Sequence, residues 1–297
     1  MQRQLTTALI CSLLATAMAG SAVAQTLRFE TNVGSFDMLL NPSGDANLQP
    51  LVDNILAYVG LGRYNYSVIN RAADNDNSDA SDDFVLQMGS FLAFPGVTDH
   101  WADHLQDVTR LTEVIVDADG DGEVDFDRTA LTNTRGTVSL ALSAGGPNTG
   151  TSSFFINLSD DNTFLDDTGF VPFAEIVDMA TIDRIMQLEQ QNVASQFGLA
   201  SSDLTFKDVP TVVGNHMVVI KDVDVIDAAA DFSFVGPIQR ALDAIAAENA
   251  SQFSSSSSSS TSTGALHAGD SNSGTVPEPA SLAMGISALG LLARRRR

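Results

Sequence analysis

Cysteine is all but missing from this 297-residue chain: its single Cys11 lies in an apolar stretch close to the N-terminus. Removal of that stretch would leave no thiol, which excludes disulfides, thiolate metal sites and a cysteine nucleophile together. Positive charge is scarce as well. Fifteen Lys and Arg stand against 37 Asp and Glu, a net charge of −22, and a surface of that sign repels nucleic acid and anionic lipid. Binding to DNA or RNA is therefore excluded. Long apolar runs are lacking too; the two that exist, one at each end, are short for a membrane span. Stability has to come from an ordinary hydrophobic core, for which the roughly 200 residues between the ends are ample.

The ends read as addresses. Arg3, the apolar residues 5–18 and the small residues Ser21-Ala22-Val23-Ala24 have the order of a signal peptide, with cleavage before Gln25. At the other end, an unbroken serine run covers residues 254–260, and Ser, Thr and Gly dominate as far as Thr275. Such a composition buries too little apolar surface to fold and predicts a disordered linker. Val276-Pro277-Glu278-Pro279, an apolar segment over residues 280–293 and four terminal arginines follow. This tripartite tail resembles a PEP-CTERM sorting signal, the kind processed by an exosortase. The resemblance implies export from a Gram-negative bacterium, transient inner-membrane anchoring with the arginines inside, cleavage near the Pro-Glu-Pro triplet, and release to the cell surface or extracellular matrix. The chain then divides into a signal peptide (1–24), a folded domain (25–227), a helical extension (228–253), the serine-rich linker (254–275) and the sorting segment (276–297).

Within the folded domain, short alternating segments predict strands at residues 27–31, 34–40, 137–142, 153–158 and 217–220. Residues 50–62 predict a helix with Leu51, Ile55, Leu56 and Val59 on one face and Gly62 as its stop; residues 181–191 predict a second. Many short strands with few helices indicate a mainly β architecture, a closed barrel or a sandwich. The words within these segments say more. Asn133-Thr134-Arg135-Gly136-Thr137-Val138-Ser139-Leu140-Ala141 and Gly146-Pro147-Asn148-Thr149-Gly150-Thr151-Ser152-Ser153-Phe154-Phe155-Ile156-Asn157 closely resemble the central signature of bacterial cyclophilins. Phe164-Leu165-Asp166 and Val171-Pro172-Phe173-Ala174-Glu175-Ile176-Val177 continue it in order, and Phe84-Val85-Leu86-Gln87-Met88-Gly89 is similar to the family's active-site strand. The resemblance implies an eight-stranded closed antiparallel β-barrel capped by two α-helices, and a peptidyl-prolyl cis-trans isomerase.

Rotating an X-Pro bond breaks no covalent bond, so neither nucleophile nor cofactor is required. A donor that meets the prolyl amide as its resonance is lost, beside an apolar pocket for the ring, is sufficient. By resemblance, Arg71 is the catalytic donor and Gln87 orients it and the substrate, while Phe84, Val85, Ala141, Phe155, Phe164 and Leu165 line the proline pocket. The pattern also departs from the family. Asn70 and Phe170 stand where histidine is usual, Ser153 where glutamine is, Leu142 where asparagine is and Val85 where methionine is. An acidic insertion, residues 72–83, separates Arg71 from Phe84. The apolar floor is kept better than the polar rim, which predicts weakened activity on proline-containing exported or matrix proteins. A noncatalytic proline-peptide-binding or matrix-structural module is the alternative.

Two further features stand apart. Asp117, Asp119, Asp121 and Asp125 occupy the first, third, fifth and ninth positions of a calcium-loop pattern with Gly122 at its turn, but Arg128 takes the place of the bidentate glutamate. A weak structural Ca²⁺ site and a solvated acidic turn are both compatible with this. His100 and His104 have helical ligand spacing without a matching third ligand and predict no metal site. Phe232, Phe234, Ile238, Leu242 and Ile245 give the extension an apolar character, suited either to docking on the barrel or to meeting a partner.

Overall fold

A computed structural model describes residues 24–73, 83–93, 105–121, 124–125, 131–143, 146–213 and 216–257. The expected signal peptide up to Val23, most of the acidic insertion, His100, His104, Gly122, Arg128, the linker from residue 258 and the sorting segment lie outside the described residues.

The chain opens with a hairpin of β1 (Thr26–Thr31) and β2 (Ser35–Leu40), in which strict alternation drives Leu27, Phe29, Phe36, Met38 and Leu40 inward. Phe29 and Phe36 sit directly across the pair and stack at 4.9 Å, one of the cross-strand contacts that strengthen a two-stranded ribbon. Helix α1 (Gln49–Gly60) follows, started by Pro50 in its first turn. Then come β3 (Ser67–Ala73), β4 (Val85–Ala93), the short β5 (Leu105–Asp107), β6 (Thr137–Leu140), β7 (Phe154–Asn157) and β8 (Pro172–Ile176). Helix α2 (Ala180–Met186) precedes β9 (Glu189–Gln191), β10 (Val209–Val212) and β11 (His216–Met217), and the chain ends with β12 (Val219–Asp227) and α3 (Val235–Ser257).

Neighbouring strands run β3-β12-β1-β2-β8-β6-β7-β4, and the β3–β4 pairing closes the ring, giving an eight-stranded antiparallel barrel with β5 appended to the far part of β4. Closure removes the exposed edges that an open sheet would present. Gly89 permits the bend at which β4 leaves β7 and turns toward β5. Its φ is +88°, and a Cβ there would lie 2.6 Å from the carbonyl oxygen of Ser152. The side chains of Phe29, Tyr64 and Phe154 meet edge-on or tilted inside the barrel.

Several expectations need adjusting. The second helix stops at Met186 instead of reaching residue 191, because residues 189–191 form β9. Together with β10 and β11, β9 builds a separate three-stranded sheet that the sequence did not suggest. The segment expected as one strand over 217–220 is divided, Met217 belonging to this small sheet and Val219 to the barrel. The extension docks. Ile238, Ala241 and Ile245 of α3 pack on the main core along with Phe232 and Phe234, and Arg240 grips Asp53 of α1 with two hydrogen bonds, Nη2 to Oδ1 at 2.6 Å and Nε to Oδ2. The helix also runs to Ser257, past the expected linker start at Ser254. Since α3 and the segments around Leu111 and Thr151 cover it, α1 is buried over residues 51–59 and not on one face alone. Among the described residues no helix is long and apolar enough to cross a membrane.

Candidate functional site

The barrel wall built from β3, β4, β7 and β6 has two faces of different character. Leu86 and Met88 of β4, Phe154 and Ile156 of β7, and Val138 and Leu140 of β6 point into the main core. The alternate residues point outward, where a second apolar cluster gathers Ala73, Val85, Ala141, Leu142, Phe155, Leu165 and Phe170, flanked by Phe84 and Phe164. Phe155 and Phe170 meet edge-on at 5.5 Å; Phe84 and Phe164 stack at 6.0 Å. Every residue singled out for the proline pocket thus belongs to one cluster, and Ala73 joins it unforeseen. Leu142 and Phe170, which replace polar residues of the family pattern, extend the apolar surface.

Arg71 reaches this outer face through an irregularity. Ile69 pairs with Met88 and Arg71 with Gln87, so two steps on β3 match one on β4 and Asn70 is the extra residue. Simple alternation from the inward Ile69 would turn Arg71 into the core. The bulge reverses the parity, so that the next core residue is Ala72 and Arg71 shares the outer face with Gln87. Gln87 in turn pairs with Phe155 on β7, placing Arg71, Gln87 and Phe155 in one row across three strands. Gln87 Nε2 donates to Ser153 Oγ at 3.2 Å.

Arg71 is only 7% exposed, and its Nε is buried without a hydrogen-bond partner. Burial pushes the guanidinium below its usual range, while the negative charge of Asp208 works in the opposite direction. Burial likewise raises the Asp208 carboxyl, against the pull of Lys207 and Arg71. A buried guanidinium with an unused donor is costly unless something accepts from it. Beside an apolar cluster, it is suited to receive a neutral ligand carrying both a ring and a polar amide.

A polar network behind the cluster was not anticipated. Asn133, fully buried, accepts from Ser139 Oγ at 2.7 Å and from Asn157 Nδ2 at 2.9 Å; it donates to Asp166 Oδ1 at 2.6 Å and to the Phe170 carbonyl at 3.0 Å. Asn162 donates to the Phe84 carbonyl at 2.7 Å and to Asn157 Oδ1 at 2.9 Å. The network ties β6 and β7 to the 3₁₀ helix Asp160–Thr168, which carries Phe164 and Leu165. The signal for it was present in the sequence: Asn133, Ser139, Asn157 and Asn162 are polar residues in or beside apolar strand words, where a buried amide requires partners.

The acidic loop lies elsewhere. Oxygens of Asp117, Asp119 and Asp121 come within 4.8 Å of one another, whereas Asp125 accepts from Ala118 N at 2.7 Å and so helps to close the loop. Asn148 braces the loop from the side, accepting from Val116 N and Asp117 N and donating to the Asp117 carbonyl.

With this geometry in place, the chain can be compared with known proteins. Residues 26–205 match the family model described as cyclophilin type peptidyl-prolyl cis-trans isomerase/CLD. No curated protein matches. Among solved structures, a cyclophilin type peptidyl-prolyl cis-trans isomerase from Cryptosporidium parvum is similar at 20% identity and a TM-score of 0.40, over 69% of this chain and 98% of that one. The same protein in the presence of the dipeptide Ala-Pro gives 19% and 0.39, over 68% and 99%.

Proposed function

Since the chain belongs to the family of cyclophilin-type peptidyl-prolyl cis-trans isomerases, we propose that it turns X-Pro bonds in exported or extracellular-matrix proteins, with activity weakened by its altered rim. The observation that carries this reading is the row of Arg71, Gln87 and Phe155 bordering the outer apolar cluster, with the Arg71 Nε left unsatisfied. Rotation about an X-Pro amide faces a barrier of roughly 18–20 kcal/mol and takes about 10–100 s unaided. In this reading the proline ring enters among Val85, Ala141, Phe155 and Leu165, with Phe84 and Phe164 at the margin. As the bond twists, resonance is lost and the prolyl nitrogen regains its lone pair. Arg71 donates to the amide in that twisted state, which lowers the barrier without any proton leaving the protein. Gln87, fixed on Ser153, orients the peptide and Arg71. No cofactor takes part.

The weakened rate is inferred from Leu142 and Phe170, which put apolar side chains where polar ones would hold the peptide, and from Asn70 and Ser153, which stand in place of a histidine and a longer glutamine. The same substitutions favour a second reading, a noncatalytic proline-peptide-binding or matrix-structural module. A protease-coupled assay on Xaa-Pro peptides separates the two. The wild type is expected to exceed the uncatalysed rate and Arg71→Ala to lose about 10²-fold, the usual effect of deleting one donor to a transition state. Equal rates at background for both proteins would leave the binding module.

Export is part of the proposal. It is supported by the N-terminal signal pattern and the Pro277-Glu278-Pro279, apolar and arginine order of the tail, with an exosortase as processing partner. Mass spectrometry of the exported protein is expected to find Gln25 at the start and a C-terminus near Pro279. Surface protein retaining all four terminal arginines would instead indicate a plain tail anchor.

A further inference from the structure

The bulge that turns Arg71 outward is held from one side by a segment with no part in the proline pocket. Asn70 Nδ2 donates to the Thr205 carbonyl at 2.9 Å, and Ala72 N donates to the Asp208 carbonyl at 2.6 Å. Arg71 lies between these two bonds. The residues that accept them are rooted independently. Phe206 is buried against Phe91 and Phe197, with ring centroids 4.7 and 4.4 Å away, and its carbonyl accepts from Val193 N at 2.9 Å. Val209, directly after Asp208, starts β10, which is paired with β9. The segment is therefore anchored by contacts that do not involve Arg71.

Resting on the isomerase reading above, we propose that residues 205–208 form a clamp for Arg71, with Asn70 and Asp208 as positioning residues: Asn70 pins the bulge, and the Asp208 carboxylate holds the guanidinium on the outer face without pairing with it. Among the described residues Arg71 forms no ion pair and its Nε has no partner, so that donor is left for the twisted amide, while the negative charge of Asp208, whose carbonyl is bonded to the neighbouring Ala72 N, offsets part of the cost of burying the cation. Asp208 lies outside the matched residues 26–205, so the clamp ends in a part of the chain that the family model does not reach. The positive charges that oppose the burial of the Asp208 carboxyl are Lys207, next to it in the chain, and Arg71.

The test compares Asp208→Asn, Asp208→Glu and Asn70→Ala with the wild type and Arg71→Ala in the peptide assay from about pH 4 to 8, spanning the ordinary carboxylate range and above. In the wild type, kcat/KM is expected to fall toward acid pH as Asp208 takes up a proton. Asp208→Asn is expected to lie about tenfold below the wild type at neutral pH, with the loss in kcat, and to show no acid limb. Asp208→Glu is expected to recover most of the rate and the limb. Asn70→Ala is expected to lower kcat while keeping the limb, since Asp208 remains. An Asp208→Asn enzyme with the wild-type rate and pH profile would overturn the clamp, provided Arg71→Ala still abolishes activity. If the wild type and Arg71→Ala both run at the uncatalysed background, the isomerase reading fails instead, and equal rates above the background would remove Arg71 as the donor; the same experiment distinguishes these outcomes.

Discussion

Replacing Asn133 by alanine tests the network that carries the candidate pocket. The substitution deletes four side-chain hydrogen bonds at once, but their loss is unequal. Asp166 keeps the backbone amide of residue 133, at 2.9 Å, and Asn157 Nδ2 keeps Thr137 Oγ1 at 3.0 Å. Ser139 Oγ and the Phe170 carbonyl have no other partner among the described residues. Each buried group stranded in this way costs about 1–3 kcal/mol, so Asn133→Ala should destabilise the domain by about 4 kcal/mol. For a domain of this size that corresponds to roughly 8–16 °C in Tm. Urea unfolding followed by tryptophan-independent far-UV dichroism measures it, and an unchanged m-value shows that only the native state was affected. The Asn133→Ala/Ser139→Ala pair sharpens the argument, because it removes one stranded hydroxyl with its partner. The double variant should lose at least about 1 kcal/mol less than the two single losses added together. A loss below about 1 kcal/mol for Asn133→Ala, well under the range for even two stranded groups, would refute the reasoning.

Two other outcomes are open to measurement. By helix propensity alone, Gly60→Ala near the end of α1 should stabilise by up to about 1 kcal/mol. Here the new Cβ would lie 2.7 Å from the Phe234 ring, so thermal melting should show a loss, whereas in a Phe234→Ala background, itself destabilised, the same substitution should show the gain; stabilisation by Gly60→Ala alone would mean that α3 does not dock as described. Calcium titration tests the acidic loop. A Kd near 1 mM would contribute about 1.4 kcal/mol at 10 mM Ca²⁺ and raise Tm by roughly 3–6 °C, a shift that Asp119→Asn should reduce, whereas an unchanged Tm leaves a hydrogen-bonded acidic turn.

What the sequence determined by itself was whatever is written in short-range periodicity and in contiguous words. The alternation of Leu27 and Phe29 with Phe36, Met38 and Leu40 predicts paired strands because side chains in a strand repeat every two residues. A single cysteine, which permits no disulfide within the chain, and the excess of acid exclude whole classes of chemistry without reference to a fold. The words around Phe84, Phe155 and Leu165 named the wall of the candidate site because those residues lie in the strands and the 3₁₀ helix that form it. Tertiary structure decided the rest. Whether Arg71 faces the core or the outer surface depends on the pairing of β3 with β4, since one bulged residue reverses the parity of everything after it, and no local pattern records that. The bonding of the Asp208 carbonyl to Ala72 N beside Arg71 and the meeting of Asn133 with Phe170 depend on how distant segments return to the barrel. Helix α1 looked amphipathic because its sequence specifies one face for the barrel; the burial of its other side follows in part from α3, whose docking depends on Arg240 finding Asp53 and Phe234 finding a residue with no side chain.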